Sequence, residues 1–166
     1  MAVTGVLVGM KSEAECLTPL GAAATVACSG ARADLARSRA EALAAGGVSA
    51  LLSFGIAGAL MPGLAPGTLL LPRAVVVPGW GEWAATPDWH RRVRDAAPGL
   101  PLLSDVTLAG SDGAVTGAAG KAALARASGA VAVDMESHIL AAVAARHGLP
   151  FLMLRAVADP AERGIP

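Results

Sequence analysis

The 166-residue sequence has no tyrosine, only two cysteines and few charged residues. Cys16 and Cys28 cannot build a disulfide framework, and both lie in apolar stretches, so we expect core thiols in a reducing compartment, the cytoplasm. Lysine plus arginine total 13 and aspartate plus glutamate total 13, so the basic excess that neutralises nucleic-acid phosphates is missing. We therefore expect no nucleic-acid partner. A small molecule or another copy of the chain, giving a homo-oligomer, is expected instead.

Membrane and export signals are also missing. The N-terminus has no basic segment before its apolar run and no cleavage pattern, so it does not predict a signal peptide. No charge occurs between Glu41 and Arg73, a distance that could cross a bilayer. Glycine and proline recur throughout this stretch, however, which indicates turns between short buried strands. We expect no membrane span.

Several common site motifs are absent. The chain contains neither G-x-G-x-x-G nor the G-x-x-x-x-G-K-[ST] phosphate loop, and no G-x-S-x-G nucleophile elbow. Its three histidines are scattered and do not have paired zinc-ligand spacing, so no metal site is predicted. A generic nucleotide-binding domain is disfavoured because it would need a phosphate loop.

Apolar segments, in contrast, are abundant, since hydrophobic residues make up 54% of the chain. Short apolar runs predict strands at residues 3–10, 22–28, 48–56, 68–77, 102–108, 130–133 and 150–157. Helices are predicted from Ser12 and at residues 31–46, 118–127 and 135–147, whereas residues 79–101 are expected to be irregular. Alternating strands and helices predict one α/β domain over residues 1–166, with a mostly parallel or mixed central sheet flanked by helices.

Three carboxylates follow predicted strands. Glu13 comes after the first strand, Glu136 after the strand AVAV and Asp159 after the strand FLMLRAV. Ligands of open α/β sheets bind outside the carboxyl ends of the strands. If these strands are parallel, the three acids meet at one edge of the sheet.

Each acid also has a purely structural explanation. Acids are favoured at helix N-termini, and Glu13 lies inside a predicted capping box formed by Ser12 and Glu15. Asp134 is a plausible N-cap two residues before Glu136. The segment D-P-A-E at residues 159–162 has the pattern of a helix start. Spacing alone leaves both explanations open.

The order of the motifs resembles a known family. V-G-M-K-S-E, S-F-G-I-A-G-A-L, P-G-T-L-L-L-P-R, V-D-M-E-S and L-R-A-V-A-D-P-A-E span most of the chain. In this order they resemble the purine nucleoside phosphorylase and nucleosidase superfamily, including the 5′-methylthioadenosine/S-adenosylhomocysteine nucleosidases. Residues 133–162 look most similar to hopanoid-associated phosphorylases, which act on adenosylhopane. The resemblance implies a three-layer sandwich.

The resemblance also implies roles for individual residues. Glu136 would bind the ribose hydroxyls while Met135 packs on the sugar, Asp159 would donate a proton to purine N7, and Glu13 would order an attacking water. Breaking an N-glycosidic bond leaves positive charge on the ribose and negative charge on the purine, which suits a carboxylate at the sugar and an acid at the base. Asp159 would need burial or a neighbouring anion to keep its proton.

Other matched positions depart from the family pattern. Ala114 and Val115 would flank the base, although nucleosidases carry a stacking phenylalanine where this chain has Ala114. Ile56 occupies a substrate-binding position where nucleosidases carry serine, and Ala158 replaces the serine before the catalytic aspartate. Relatives continue into a helix after this aspartate, whereas Gly164 and Pro166 interrupt the chain here, so that helix is expected to be missing.

The sequence therefore predicts an enzyme that cleaves a purine ribonucleoside with an apolar 5′ substituent, such as adenosylhopane. It needs no cofactor, and either water or phosphate as co-substrate could be the nucleophile. The alternative is a non-catalytic nucleoside-binding module or an inactive subunit. Trp80, Trp83 and Trp89 are all the tryptophans of the chain. They either cover the core or an interface, or form an apolar wall for the 5′ group.

Overall fold

A computed structural model describes residues 2–163, which form a three-layer α/β sandwich with a mixed central sheet. The strands are β1 Thr4–Val8, β2 Ala24–Cys28, β3 Ala50–Ala59, β4 Leu69–Leu70, β5 Ala74–Val77, β6 Gly81–Ala84, β7 Leu102–Leu103, β8 Thr107–Gly110, β9 Ala132–Asp134 and β10 Phe151–Asp159. The α-helices are α1 Lys11–Cys16, α2 Ala33–Ala45, α3 Pro87–Ala96, α4 Ala118–Ser128 and α5 Ser137–His147. The predicted fold class is confirmed.

Strand β3 lies at the centre of the sheet and pairs with three other strands. Along one edge, β10 runs parallel to it from Phe151 opposite Leu51 to Asp159 opposite Gly58. Along the other edge, β1 pairs in parallel with residues 50–53 of β3, whereas β9 pairs antiparallel with residues 58–59. The carboxyl ends of β1 and β9 therefore approach each other from opposite directions across residues 54–57 of β3.

The core lies between this sheet and the helices α2 and α5, which pack against each other. Alternate residues of β3 are buried, as expected for a strand with one covered face. Large core side chains with no or almost no exposure are Leu7, Leu51, Leu70, Leu108, Leu140, Leu152 and Met153. Burying each such side chain contributes about 1.5–3 kcal/mol, which makes this layer the main source of stability.

Two predictions about apolar stretches had different outcomes. The uncharged stretch between Glu41 and Arg73 is divided among the end of α2, the strands β3 and β4 and their connections. Over residues 2–163, no helix has the length and apolar character needed to span a bilayer. The expectation of two core thiols is wrong, because Cys16 is exposed on the short helix α1 and Cys28 is half-buried at the end of β2.

Other element predictions need correction. Residues 68–77 form two strands, because Pro72 lacks the N–H that a continuous ladder needs. Residues 102–108 are likewise divided between β7 and the start of β8. The segment expected to be irregular contains β6, which forms an antiparallel hairpin with β5, and helix α3. Thr86 and Pro87, at the N-cap and first position of α3, form a helix start that the sequence analysis missed.

Candidate active site

A cavity of about 150 Å³ opens where the carboxyl ends of β1 and β9 approach each other beside β3. All seven residues that the sequence predicts for the site line it. They are Glu13, Ile56, Ala114, Val115, Met135, Glu136 and Asp159. The sequence argument for this convergence was partly wrong, because it assumed parallel strands and β9 is antiparallel to β3. Glu13 and Glu136 meet because β1 and β9 share one edge of β3, and Asp159 reaches the same cavity from β10 on the other edge. The roles assigned to them remain predictions.

Glu13 is held rigidly by three backbone donors. Its Oε2 accepts the N–H of Gly9 at 2.7 Å and that of Met10 at 2.8 Å, and its Oε1 accepts the N–H of Ile56 at 2.9 Å. The residue is 7% exposed. Since a carboxylate has about four lone-pair positions, this pattern leaves room for one further donor from the cavity.

The helix start around Glu13 differs from the predicted capping box. Helix α1 begins at Lys11, so Ser12 lies inside it and Glu13, rather than Glu15, is the third helical residue. An acid at this position satisfies orphan N–H groups of the helix start, as the bond from Met10 shows. Glu13 therefore does stabilise the start of helix α1, as the structural explanation proposed, and its carboxylate also lines the cavity.

Two glycines make room for the carboxylates. Gly55 has φ +147°, and a Cβ atom there would lie 2.3 Å from Oε1 of Glu13. A Cβ atom on Gly9 would lie 2.8 Å from Oε1 of Glu136. Close approach of the backbone to a carboxylate therefore requires glycine at both positions. This explains Gly55, which the sequence alone leaves as a weak signal.

Glu136 is 5% exposed and contacts one hydroxyl group and one cation. Ser29 donates its hydroxyl to Oε1 at 3.3 Å, and Nη1 of Arg155 lies 3.7 Å from Oε2. Burial raises the pKa of Glu136 above its usual range; Arg155 opposes this rise, and the carboxylates of Asp134 and Glu13 add to it. The side chain makes no capping hydrogen bond to α5, so helix capping does not explain this acid.

Arg155, which the sequence analysis missed, connects the carboxylates behind the cavity. It is 1% exposed, and its Nη2 lies 2.7 Å from Oδ2 of Asp134 and contacts the hydroxyl of Ser53. Its Nη2 also donates to Ser137 at 3.3 Å. The available signal was a single cation in the otherwise apolar strand FLMLRAV. A buried cation is stable only when it is paired, so this position predicts buried acids nearby.

Asp159 is the last residue of β10 and lines the same cavity as Asp134 and Glu136. No helix follows it within residues 160–163, so the helix-start explanation of D-P-A-E is wrong for the described part of the chain. The predicted interruption at Gly164 and Pro166 lies outside the described residues. The side chain of Asp159 is 19% exposed and forms an ion pair with Lys121, which is 1% exposed. The neighbour found is therefore a cation, whereas the sequence analysis expected either burial of Asp159 or a neighbouring anion.

The remaining predicted residues form the apolar part of the lining. Ala114 and Val115 belong to the loop between β8 and α4, and Met135 follows β9. Ile56, on β3, is 43% exposed, and its backbone N–H donates to the carboxylate of Glu13. Carboxylates at defined points of an apolar wall are suited to a ligand with a flat apolar part and a hydroxylated part.

The three tryptophans have different environments. Trp83 and Trp89 are partly buried and pack against the main core, as the core-covering explanation predicts. Trp80 is 85% exposed on the turn between β5 and β6, beside a second cavity that shares Val115 with the first. An apolar wall, if formed by these residues, is therefore limited to Trp80.

Comparison with known proteins agrees with this fold. The model of the phosphorylase superfamily matches residues 20–165, so the chain belongs to that superfamily. No protein of curated function matches the sequence significantly.

Solved structures are similar in fold over nearly the whole chain. Futalosine hydrolase of Helicobacter pylori superposes with a TM-score of 0.88 at 20% identity, covering 97% of this chain and 86% of that one. The 5′-methylthioadenosine/S-adenosylhomocysteine nucleosidase of the same organism gives 0.87 at 20% identity over 97% and 86%. The nucleosidase of Neisseria meningitidis gives 0.87 at 19% identity over 98% and 87%. The fold is thus nucleosidase-like.

Proposed function

We propose that this protein cleaves the N-glycosidic bond of an adenine ribonucleoside that carries an apolar 5′ substituent. The observation that carries the proposal is the convergence of Glu13, Glu136 and Asp159 on one apolar cavity. Glu136 accepts the ribose hydroxyls and stabilises the cationic sugar, and Asp159 protonates the departing base. Met135 packs on the sugar, and Ala114 and Val115 flank the base.

Water is the nucleophile that the site favours. The described cavity lining contains four acids and neither lysine nor arginine, so a phosphate dianion would face carboxylates and find no cation in the lining to contact. The one free acceptor position on Glu13 suits a water that donates to it and attacks the sugar carbon. The structural neighbours named as a hydrolase and as nucleosidases support the same choice. Phosphate is the alternative that the experiment below tests.

The 5′ substituent is proposed to be extended and apolar, with adenosylhopane as the candidate. The support is the similarity of residues 133–162 to hopanoid-associated phosphorylases, together with the exposed apolar side chains of Ile56 and Met10 at the cavity. Burial of such a group is favourable by about 25 cal/mol per Å² of apolar surface.

The experiment follows free adenine after incubation with 5′-alkylthio-5′-deoxyadenosines of increasing chain length, with and without phosphate. We expect adenine and free ribose derivative in phosphate-free buffer, and catalytic efficiency that rises with chain length. If adenine release requires phosphate and yields a sugar 1-phosphate, the nucleophile is phosphate and not water. Binding without any adenine release would favour the nucleoside-binding module or inactive subunit and overturn the proposal.

A further inference from the structure

Lys121 is buried where the rest of its helix is not. Helix α4 is rich in alanine, yet Lys121 is its one fully buried residue, at 1% exposure, while several of its alanines remain exposed. Hydrophobicity would place the alanines inside and the lysine outside. Burying an ammonium group costs several kcal/mol unless it is paired, so the partners of Lys121 must explain its position.

Those partners account for all three hydrogens of the ammonium group. Nζ donates to Oδ2 of Asp159, to the carbonyl oxygen of Pro160 at 2.8 Å and to that of Arg163 at 2.9 Å. Lys121 does not line the cavity that holds Asp159. It therefore has no hydrogen left for a substrate, and any effect on the reaction passes through Asp159.

The contact fixes the carboxyl group in one orientation. Lys121 holds Oδ2 and also ties the segment after β10 to α4, so the backbone that carries Asp159 is anchored. Gly58, opposite Asp159 in the sheet, has no side chain, and a Cβ atom there would lie 3.1 Å from Oδ1. Within residues 2–163, Oδ1 accepts no hydrogen bond, so it is the oxygen available to a ligand.

We propose that Lys121 is a positioning residue for Asp159: it aims the carboxyl group at the leaving purine and stabilises the carboxylate that remains after proton transfer. The inference rests on the proposed function. In the step, Asp159 starts with its proton on Oδ1; this O–H bond breaks as an N7–H bond forms, and the electron pair of the C1′–N9 bond moves to the purine. A water molecule forms the new C1′–O bond and gives its proton to Glu13. The negative charge left on Asp159 is then in contact with an ammonium group that needs no reorganisation.

The first test compares two leaving groups. Lys121→Met should lower kcat for a 5′-alkylthioadenosine by about 10–100-fold with little change in KM, because general-acid catalysis is weakened. Hydrolysis of 4-nitrophenyl β-D-ribofuranoside, whose leaving group needs no proton, should change less than about threefold. Arg126→Met removes an exposed cation from the same helix and should leave both rates unchanged. Equal losses with both substrates would mean that Lys121 is only structural, and would overturn the proposal.

The second test is a double-mutant cycle. If Lys121 acts only through Asp159, the double variant Lys121→Met/Asp159→Asn should be no slower than Asp159→Asn alone, whereas independent effects would multiply. Lys121→Gln, which keeps donors for the two backbone carbonyls, repeats both tests should the methionine variant fail to fold. Multiplied losses, or wild-type kcat in both Lys121 variants, contradict the proposal. A wild-type protein that releases no adenine in either buffer contradicts the proposed function itself.

Discussion

Arg155 and Lys121 are equally buried cations beside the same cavity, but they hold their carboxylates in different ways. Arg155 bridges Asp134 and Glu136 and also donates to two serine hydroxyls and to the carbonyl oxygen of Ile56. Lys121 contacts a single carboxylate, that of Asp159, and gives its other two hydrogens to backbone carbonyls. The flat guanidinium can reach several acceptors in fixed directions, and an ammonium acts as a compact point charge.

The difference matches the two charges that glycosidic cleavage creates. On the Glu136 side, one cation is shared between two acids, so negative charge is left to face a cationic sugar. On the Asp159 side, one cation faces one acid, so the pair can accept the negative charge that arrives when the proton leaves. Under the proposed function, the Arg155 cluster, defined as Arg155 with Asp134 and Glu136, would serve the sugar, and the Lys121–Asp159 pair would serve the base.

The largest expected effect is at the base. Asp159→Asn keeps the shape and a carbonyl acceptor for Lys121 but cannot donate a carboxylic proton, so turnover should fall by about 10²–10⁴-fold. Adenine release measures turnover, and circular dichroism with thermal unfolding checks that the fold is intact. Near-wild-type turnover would show that Asp159 is not the general acid, and the proposed difference between the two sides of the cavity would then be wrong.

Stability should respond more strongly at the Arg155 cluster. Arg155→Met leaves two buried acids without their cation, which should lower the free energy of unfolding by about 3–5 kcal/mol. Lys121→Met should cost less, because the side chain of Asp159 is 19% exposed and can gain water. Urea unfolding of both variants, with the exposed Arg91→Met as control, measures the difference. Equal losses would show that the two cations are energetically equivalent.

Sugar selectivity should depend on Glu136. The wild type should prefer ribosides to 2′-deoxyribosides by about 10–100-fold, since a lost hydroxyl forfeits a hydrogen bond to a charged group worth about 1.5–3 kcal/mol. Glu136→Gln should reduce this preference, whereas Asp159→Asn should slow both sugars alike. Catalytic efficiencies on the paired substrates give the answer. Equal efficiency of the wild type on both sugars would refute the role of Glu136.

The smallest effect is a gain in stability. Because burial raises the pKa of Glu136 in the folded protein, its charged form is disfavoured by folding. Glu136→Gln should therefore stabilise the protein at pH 7.5 by about 0.5–2 kcal/mol while impairing activity. As the pH falls through the raised pKa, the folded wild type takes up the proton and the advantage should shrink. Urea unfolding at pH 7.5 and pH 4 tests this. An advantage that grows on acidification would contradict the assigned direction.

The sequence predicted the fold class and the acids, but not how they meet. Apolar runs and helix patterns are local signals, and they located β1, β3 and β10 closely. The direction of β9 is a property of pairing between distant segments, and the three residues of this strand carry no signal for it. The edge of β3 between β1 and β9, at residues 54–57, is where Glu13 and Glu136 meet. The order of the elements along the chain could not predict this meeting point.

The two buried cations were missed for a related reason. A lysine in a helix and an arginine in a strand are ordinary surface residues unless their partners are known, and those partners are distant in sequence. Arg155 in an apolar strand gave a usable warning, whereas Lys121 among exposed alanines gave none. The assignment of Glu136 to the sugar and of Asp159 to the base came from the family resemblance and stays a prediction, whereas the cation beside each acid became visible only in the three-dimensional contacts.

The proposed function requires a cavity that favours a cationic sugar joined to a base that accepts a proton. Calorimetry can compare two inert analogues of one shape, in which the ring that replaces the ribose carries either a protonated nitrogen or a neutral carbon. We predict that the cationic analogue binds at least about 10²-fold more tightly, as expected of a transition-state mimic, and that Glu136→Gln removes most of the difference. Equal affinity of the wild type for both analogues would contradict the proposed function.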